Sequence, residues 1–206
     1  MRGITWPTLS ALVALALCGA GCAGKASWKH VRAGQDRYPA ISGISASVPA
    51  RWMAFEDRRA RTLLLTRHSV PMDFIQIRRQ PLSAPLPNTA QTLSAGMKPY
   101  EAAEAAANSL RAAQGVFDLT LENLSPAEVG GVEGFEMMLS YAMENGMRRR
   151  CLIYGLITAD SKGRSRYYVE IGLYALEDYY FEAALEDFLA VVKSVGFSPN
   201  TGVVNK

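Results

Sequence analysis

"GGVEGFEMMLSYAMENGMRRRCLIYGLI", Gly130–Ile157, decides the fold class. Phe135, Met137, Leu139, Tyr141 and Met143 alternate with their neighbours, and a period of two marks a β-strand. Asn145-Gly146 then supplies a strong two-residue hairpin signal. A turn there predicts Tyr141 opposite Arg150, Leu139 opposite Leu152, Met137 opposite Tyr154 and Phe135 opposite Leu156. The other face pairs Ser140 with Cys151 and Met138 with Ile153. Both faces are then partly apolar. A solvated face would be more polar, so each face of this sheet needs cover.

The flanking sequence supplies the cover. Downstream, Ala159–Ser165 reads as a turn and Arg166–Leu176, "RYYVEIGLYAL", as a further long strand. Asp178 is placed to cap a helix in which Phe181, Leu185, Phe188, Leu189 and Val192 recur at helical spacing. A short "VGF" ends the fold. Upstream, Pro99 suits a first helical position and Gly115 a stop for the Ala-rich "PYEAAEAAANSLRAAQG". Tyr100, Ala103, Ala107 and Leu110 form its expected packing stripe, and its small residues imply close approach to a sheet. Leu119 and Leu121 mark a strand, and Gly130-Gly131 a turn. Before the helix, Gln80–Thr89 carries three prolines and reads as a loop. Earlier strand candidates are Ile44–Val48, Trp52–Phe55, Thr62–Arg67 and Phe74–Arg78. The expectation is an α+β domain: an antiparallel sheet covered by helices on both faces.

Strands, mid-chain helix, long strands and C-terminal helix in this order resemble the PsbP-like α/β/α sandwich, also found in DcrB-type bacterial lipoproteins. The likeness is carried by "ISASVPARWMAF", by the hairpin sequence quoted above and by "YYFEAALEDFLAVVKSVGF". It implies fold more than function. Members serve as accessory or binding subunits, and the resemblance supplies no catalytic residues.

The N-terminus carries a separate signal. Arg2 precedes an uncharged stretch from Gly3 through Gly24, whose densest apolar part is Leu9–Leu17. That suits the h-region of an export signal and is shorter than the roughly 20 apolar residues that span a bilayer. Gly19-Ala20-Gly21-Cys22 then resembles a bacterial lipoprotein signal, in which the cysteine becomes the first mature residue and carries lipid. Gly19 stands where that motif usually has Leu. Plain secretory cleavage near Ala20 or Ala23 is the alternative. Ala23, rather than Asp, after Cys22 favours the outer over the inner membrane by resemblance to enterobacterial sorting. Several acyl chains on Cys22 would suffice for stable anchoring, at about 0.8 kcal/mol per buried CH₂. The expected organisation is signal peptide 1–21, tether 22–41, a single α+β domain 42–197 and a loose tail 198–206.

Composition narrows the function classes. The 206 residues are 49% hydrophobic and 20% charged, so the chain should build a globular core. A formal charge of +3, from 22 basic and 19 acidic side chains, is far from a nucleic-acid binder's basic surface. Of the three cysteines, Cys18 would leave with the signal and Cys22 would be lipidated. Cys151 then remains as a lone core thiol with no disulfide partner.

No cofactor and no metal is expected. His30 and His68 lack neighbours at metal-ligand spacing and read as surface positions. Gly130–Gly134 leads into a strand rather than a helix, which does not suit a phosphate cradle. The run Arg148-Arg149-Arg150 is the remaining candidate site. It reads as a solvated hairpin tip or as a contact for anionic lipid headgroups or an acidic partner. Alternation along a strand turns Arg149 away from the other two. Tyr154, Tyr167, Tyr168, Tyr174, Tyr179 and Tyr180 read as packing residues, with a ligand groove between sheet and helix as the alternative. The expected function is a non-catalytic, lipid-anchored envelope protein with a periplasmic binding or assembly module. The alternative is a carrier of a small apolar ligand. The membrane, through Cys22, and an envelope protein are the expected partners.

Overall fold

The computed structural model describes residues 28–30, 38–41, 43–159 and 166–197. In chain order its strands are β1 (Lys29–His30), β2 (Tyr38–Ile41), β3 (Ile44–Ala46), β4 (Met53–Asp57), β5 (Thr62–Thr66) and β6 (Asp73–Pro81). Helix α1 (Pro99–Arg111) follows, then β7 (Val116–Val129), β8 (Val132–Met143), β9 (Arg148–Ala159) and β10 (Arg166–Leu176). Helix α2 (Tyr180–Ser194) and β11 (Gly196–Phe197) close the fold. Signal peptide, Cys22 and tail lie outside the described residues. Two short strands, β1 and β2, fall within the segment 22–41 that reads as a tether.

An eight-stranded sheet runs β1-β4-β5-β6-β10-β9-β8-β7, and a small sheet runs β11-β3-β2. Every pairing is antiparallel. The class is α+β, with a large antiparallel sheet and two helices among the described residues.

The central hairpin forms one residue out of the expected register. Tyr141 pairs with Arg149, Leu139 with Cys151 and Met137 with Ile153. Its loop explains the shift. Gly146 N–H bonds the Met143 carbonyl at 2.9 Å, and Met143 N–H bonds the Met147 carbonyl at 2.8 Å. Gly146 alone in this loop has positive φ, 81°. This is a three-residue loop ending in a left-handed glycine, not a two-residue turn with positive φ at both positions. One residue of slip exchanges the faces of a strand. Leu152, Tyr154 and Leu156 therefore join the opposite core from Met137 and Leu139. The two-residue turn sits instead at Gly130-Gly131, with φ of 58° and 78°, between the paired Val129 and Val132. A Cβ on Gly130 would meet the Phe197 ring and the Val195 carbonyl at 2.9 Å.

Successive residues of the central strands feed two clusters. One joins Phe135, Met137, Leu139, Cys151, Ile153, Tyr168 and Tyr174 to the alanines of α1. The other joins Leu152, Leu156, Val169, Ile171 and Leu173 to Phe181, Ala184, Phe188 and Val191 of α2. Ala102, Ala103, Ala105, Ala106 and Ala107 are all buried, so α1 lies close on β7, β8 and β9 as its small residues predict. Two details differ. Tyr100 is 54% exposed and lies off the packing stripe. The α2 cap is Tyr179 rather than Asp178, and no side chain caps it.

Candidate functional site

The arginine run starts β9, where the chain leaves the hairpin loop. Alternation splits it as expected. Arg148 Nε donates to Glu177 at 3.1 Å and its terminal nitrogen to Ser140 Oγ at 3.1 Å. Arg150 pairs with Glu122 at 2.9 Å and Glu182 at 3.5 Å, its guanidinium 5.1 Å from the Phe181 ring centroid. Arg149 is buried, donates to the Pro71 carbonyl and lies 5.3 Å from the Phe74 ring centroid. Each arginine thus ties β9 to another element, and Arg148, 47% exposed at its side chain, faces water most.

A buried polar network crosses β6 and β10. Glu170 pairs in register with Arg78 and accepts from it at 2.9 Å. Tyr174 donates to the same carboxylate at 3.0 Å and Tyr168 at 3.4 Å. Burial alone works against the Arg78 charge, but Glu170, with Tyr174 and Tyr168, offsets it and holds its pKa up. Burial pushes both tyrosines well above the usual phenol range, and Glu170 adds to the effect. Beside them, burial pushes the Cys151 thiol up, against the pull of Arg149.

The other four tyrosines of the C-terminal half make separate contacts. Tyr154 donates to Glu136, Tyr167 lies under Arg79 at 3.7 Å, and Tyr179 and Tyr180 meet edge to face at 5.3 Å. Phe135, Met137 and Tyr168 fill the sheet beneath α1 and are at most 1% exposed.

His68 has a specific partner that its sequence surroundings conceal. Its Nδ1 lies 2.6 Å from the Asp73 carboxylate, which is fully buried. That carboxylate also accepts from Thr66 Oγ1 at 3.0 Å and from the backbone N–H groups of Arg67 and His68 at 3.2 Å. The arrangement locks the turn between β5 and β6. The imidazole also meets the Tyr180 ring edge to face, with centroids 5.0 Å apart. Among the described residues, no three His, Cys, Asp or Glu side chains form a metal-holding group.

One surface escapes motif reading: the edge strand β7. It spans 14 residues, and no described strand pairs with its outer side. Phe117, Leu121 and Leu124 are 51%, 46% and 36% exposed. Leu121 and Leu124 stand opposite Leu139 and Met137 and extend that apolar row to the rim. Between Arg111 and Arg148 the sequence has no Lys or Arg but has Asp118, Glu122, Glu128, Glu133, Glu136 and Glu144. This acidic hairpin stands out in a chain of net charge +3. The missing basic residues were the signal available in the sequence.

No protein-family model and no curated protein matches the sequence. Solved structures do match. LpqN, described as involved in cell envelope biogenesis of Mycobacterium tuberculosis, aligns with a TM-score of 0.52 at 18% identity. The alignment covers 84% of this chain and 91% of LpqN. Cyanobacterial PsbP from Synechocystis aligns with a TM-score of 0.52 at 14% identity, covering 86% of this chain and 98% of that one. At such identities the shared property is the architecture, and the described domain has the PsbP-like fold.

Proposed function

We propose that this chain is a lipid-anchored cell-envelope protein whose folded domain is a non-catalytic binding or assembly module. The observation that carries the reading is Cys22, set behind small residues and an uncharged apolar run. Among the described residues, no helix is long and apolar enough to cross a membrane. The fold shared with LpqN, a protein of envelope biogenesis, supports the envelope setting. The non-catalytic reading is supported by chemistry: the His68–Asp73 pair and the Arg78–Glu170 network are both spent on holding the fold together. In this reading the domain is an α/β/α sandwich with α1 and α2 on opposite faces, held in the periplasm. Ala23 after Cys22 favours the outer membrane. A carrier of a small apolar ligand finds less support, because large side chains fill the space beneath α1.

The test is Cys22→Ala followed by fractionation. The native chain should sediment with membranes, and the variant should move to the soluble fraction. Retention of the variant on membranes would remove the anchor from the account.

A further inference from the structure

We propose that the outer edge of β7 is a docking strand for an extended polypeptide segment that alternates apolar and basic side chains. The inference deepens the assembly reading and rests on it only in taking a protein partner to exist.

Three observations converge on this strand. The first is its position. The opposite edge of the large sheet is the two-residue β1, whereas β7 is long and has no described neighbour on its outer side. Unpaired edge N–H and C=O groups are a ready template for strand addition. The second is apolar exposure. Phe117, Leu121 and Leu124 all lie on this one strand. Leu121 and Leu124 share a face, so alternate side chains of an added strand would extend the same row. The third is charge. Asp118 and Glu128 on β7, with Glu133 on the neighbouring β8 and Glu144 in the loop after it, are exposed and make no ion pair among the described residues, whereas Glu122 is held by Arg150. A basic segment would complement them.

Charge also argues against a second copy as the occupant. Two β7 strands side by side would bring carboxylates together, and like charges across a pair destabilise it. The strand carries further obstacles to open-ended self-pairing. Its register shifts between Phe117 and Thr120 and again between Leu121 and Asn123, Asp118 has φ of 49°, and Pro126 has no N–H. Such bulges and prolines are devices against edge-to-edge aggregation. They leave short runs of regular strand that suit a short segment.

The test uses the full-length chain in non-ionic detergent and a fluorescent peptide alternating Val and Lys. Controls replace Lys by Glu, or N-methylate alternate backbone amides. The Lys peptide should bind roughly tenfold more tightly than the Glu peptide, because complementary charge selects the partner. N-methylation should abolish binding, and bound peptide should slow amide exchange in β7. Glu128→Lys combined with Glu133→Lys should erase the preference for the Lys peptide while leaving the unfolding temperature near native, since both side chains are exposed and neither has a left-handed backbone. Equal binding of the Lys and Glu peptides, binding that survives N-methylation, or unchanged β7 exchange would each overturn the proposal. So would self-association through β7 without peptide. Fractionation of Cys22→Ala is independent of these readouts, so loss of the anchor claim and loss of the docking claim are distinguishable.

Discussion

Glu170→Gln isolates the buried ion pair. The native Glu170 side chain is 8% exposed and takes three donors, from Arg78, Tyr174 and Tyr168. The Arg78 side chain is 15% exposed. The substitution keeps the shape but leaves the guanidinium without a counter-charge. It also turns an amide N–H₂ toward groups that need an acceptor. Removing one partner of a buried pair costs about 3–5 kcal/mol. A domain of this size loses about 2–4 °C of Tm per kcal/mol, so Tm should fall by roughly 6–20 °C. Arg78→Met removes the other charge, and the double change should cost less than the two single costs together. Urea or thermal unfolding of the four proteins measures both quantities. A cost below about 1 kcal/mol for Glu170→Gln, or strict additivity in the double variant, would refute the reasoning.

Further outcomes follow from the same face of the sheet. Gly155→Ala places a methyl group into the Phe135 ring and within 2.8 Å of Tyr168 Oη, and should cost about 1–3 kcal/mol. Adding Phe135→Leu should recover part of that loss in chemical denaturation. Cys151, buried and with its thiol pKa pushed up by burial, should resist iodoacetamide until the domain unfolds. Peptide mapping that finds it alkylated in folded protein would contradict its packing. Stability should fall in alkali. Burial raises the folded-state pKa of Cys151, Tyr141, Tyr168 and Tyr174. Below about pH 8 both states hold these protons. Above roughly pH 9 to 10 the unfolded chain releases them first, so the folded state binds more protons and loses stability as pH rises. Unfolding free energies that stay level between neutrality and about pH 11 would count against buried neutral phenols.

Much of this architecture was legible where side-chain period and burial agree. The alternation of Phe135–Met143 and the α2 spacing of Phe181 and Phe188 mark real core faces. The hairpin register was not legible, because Asn-Gly fits both a two-residue turn and the bulged loop that forms. The length of β7 was hidden for a physical reason. Much of the strand is exposed at a sheet edge, so no clean apolar alternation runs along its 14 residues. Glu170 and Arg78 are 92 residues apart in sequence, and only the β6–β10 pairing joins them. The His68–Asp73 lock depends on the turn folding the carboxylate back beneath the ring.

The central claim is that Cys22 holds a binding domain at an envelope membrane. Its most direct test is the mass of the N-terminal peptide of the chain extracted from native membranes. The account predicts that the peptide begins at Cys22 and carries several acyl chains. A peptide that begins elsewhere, or at an unmodified Cys22, would contradict it.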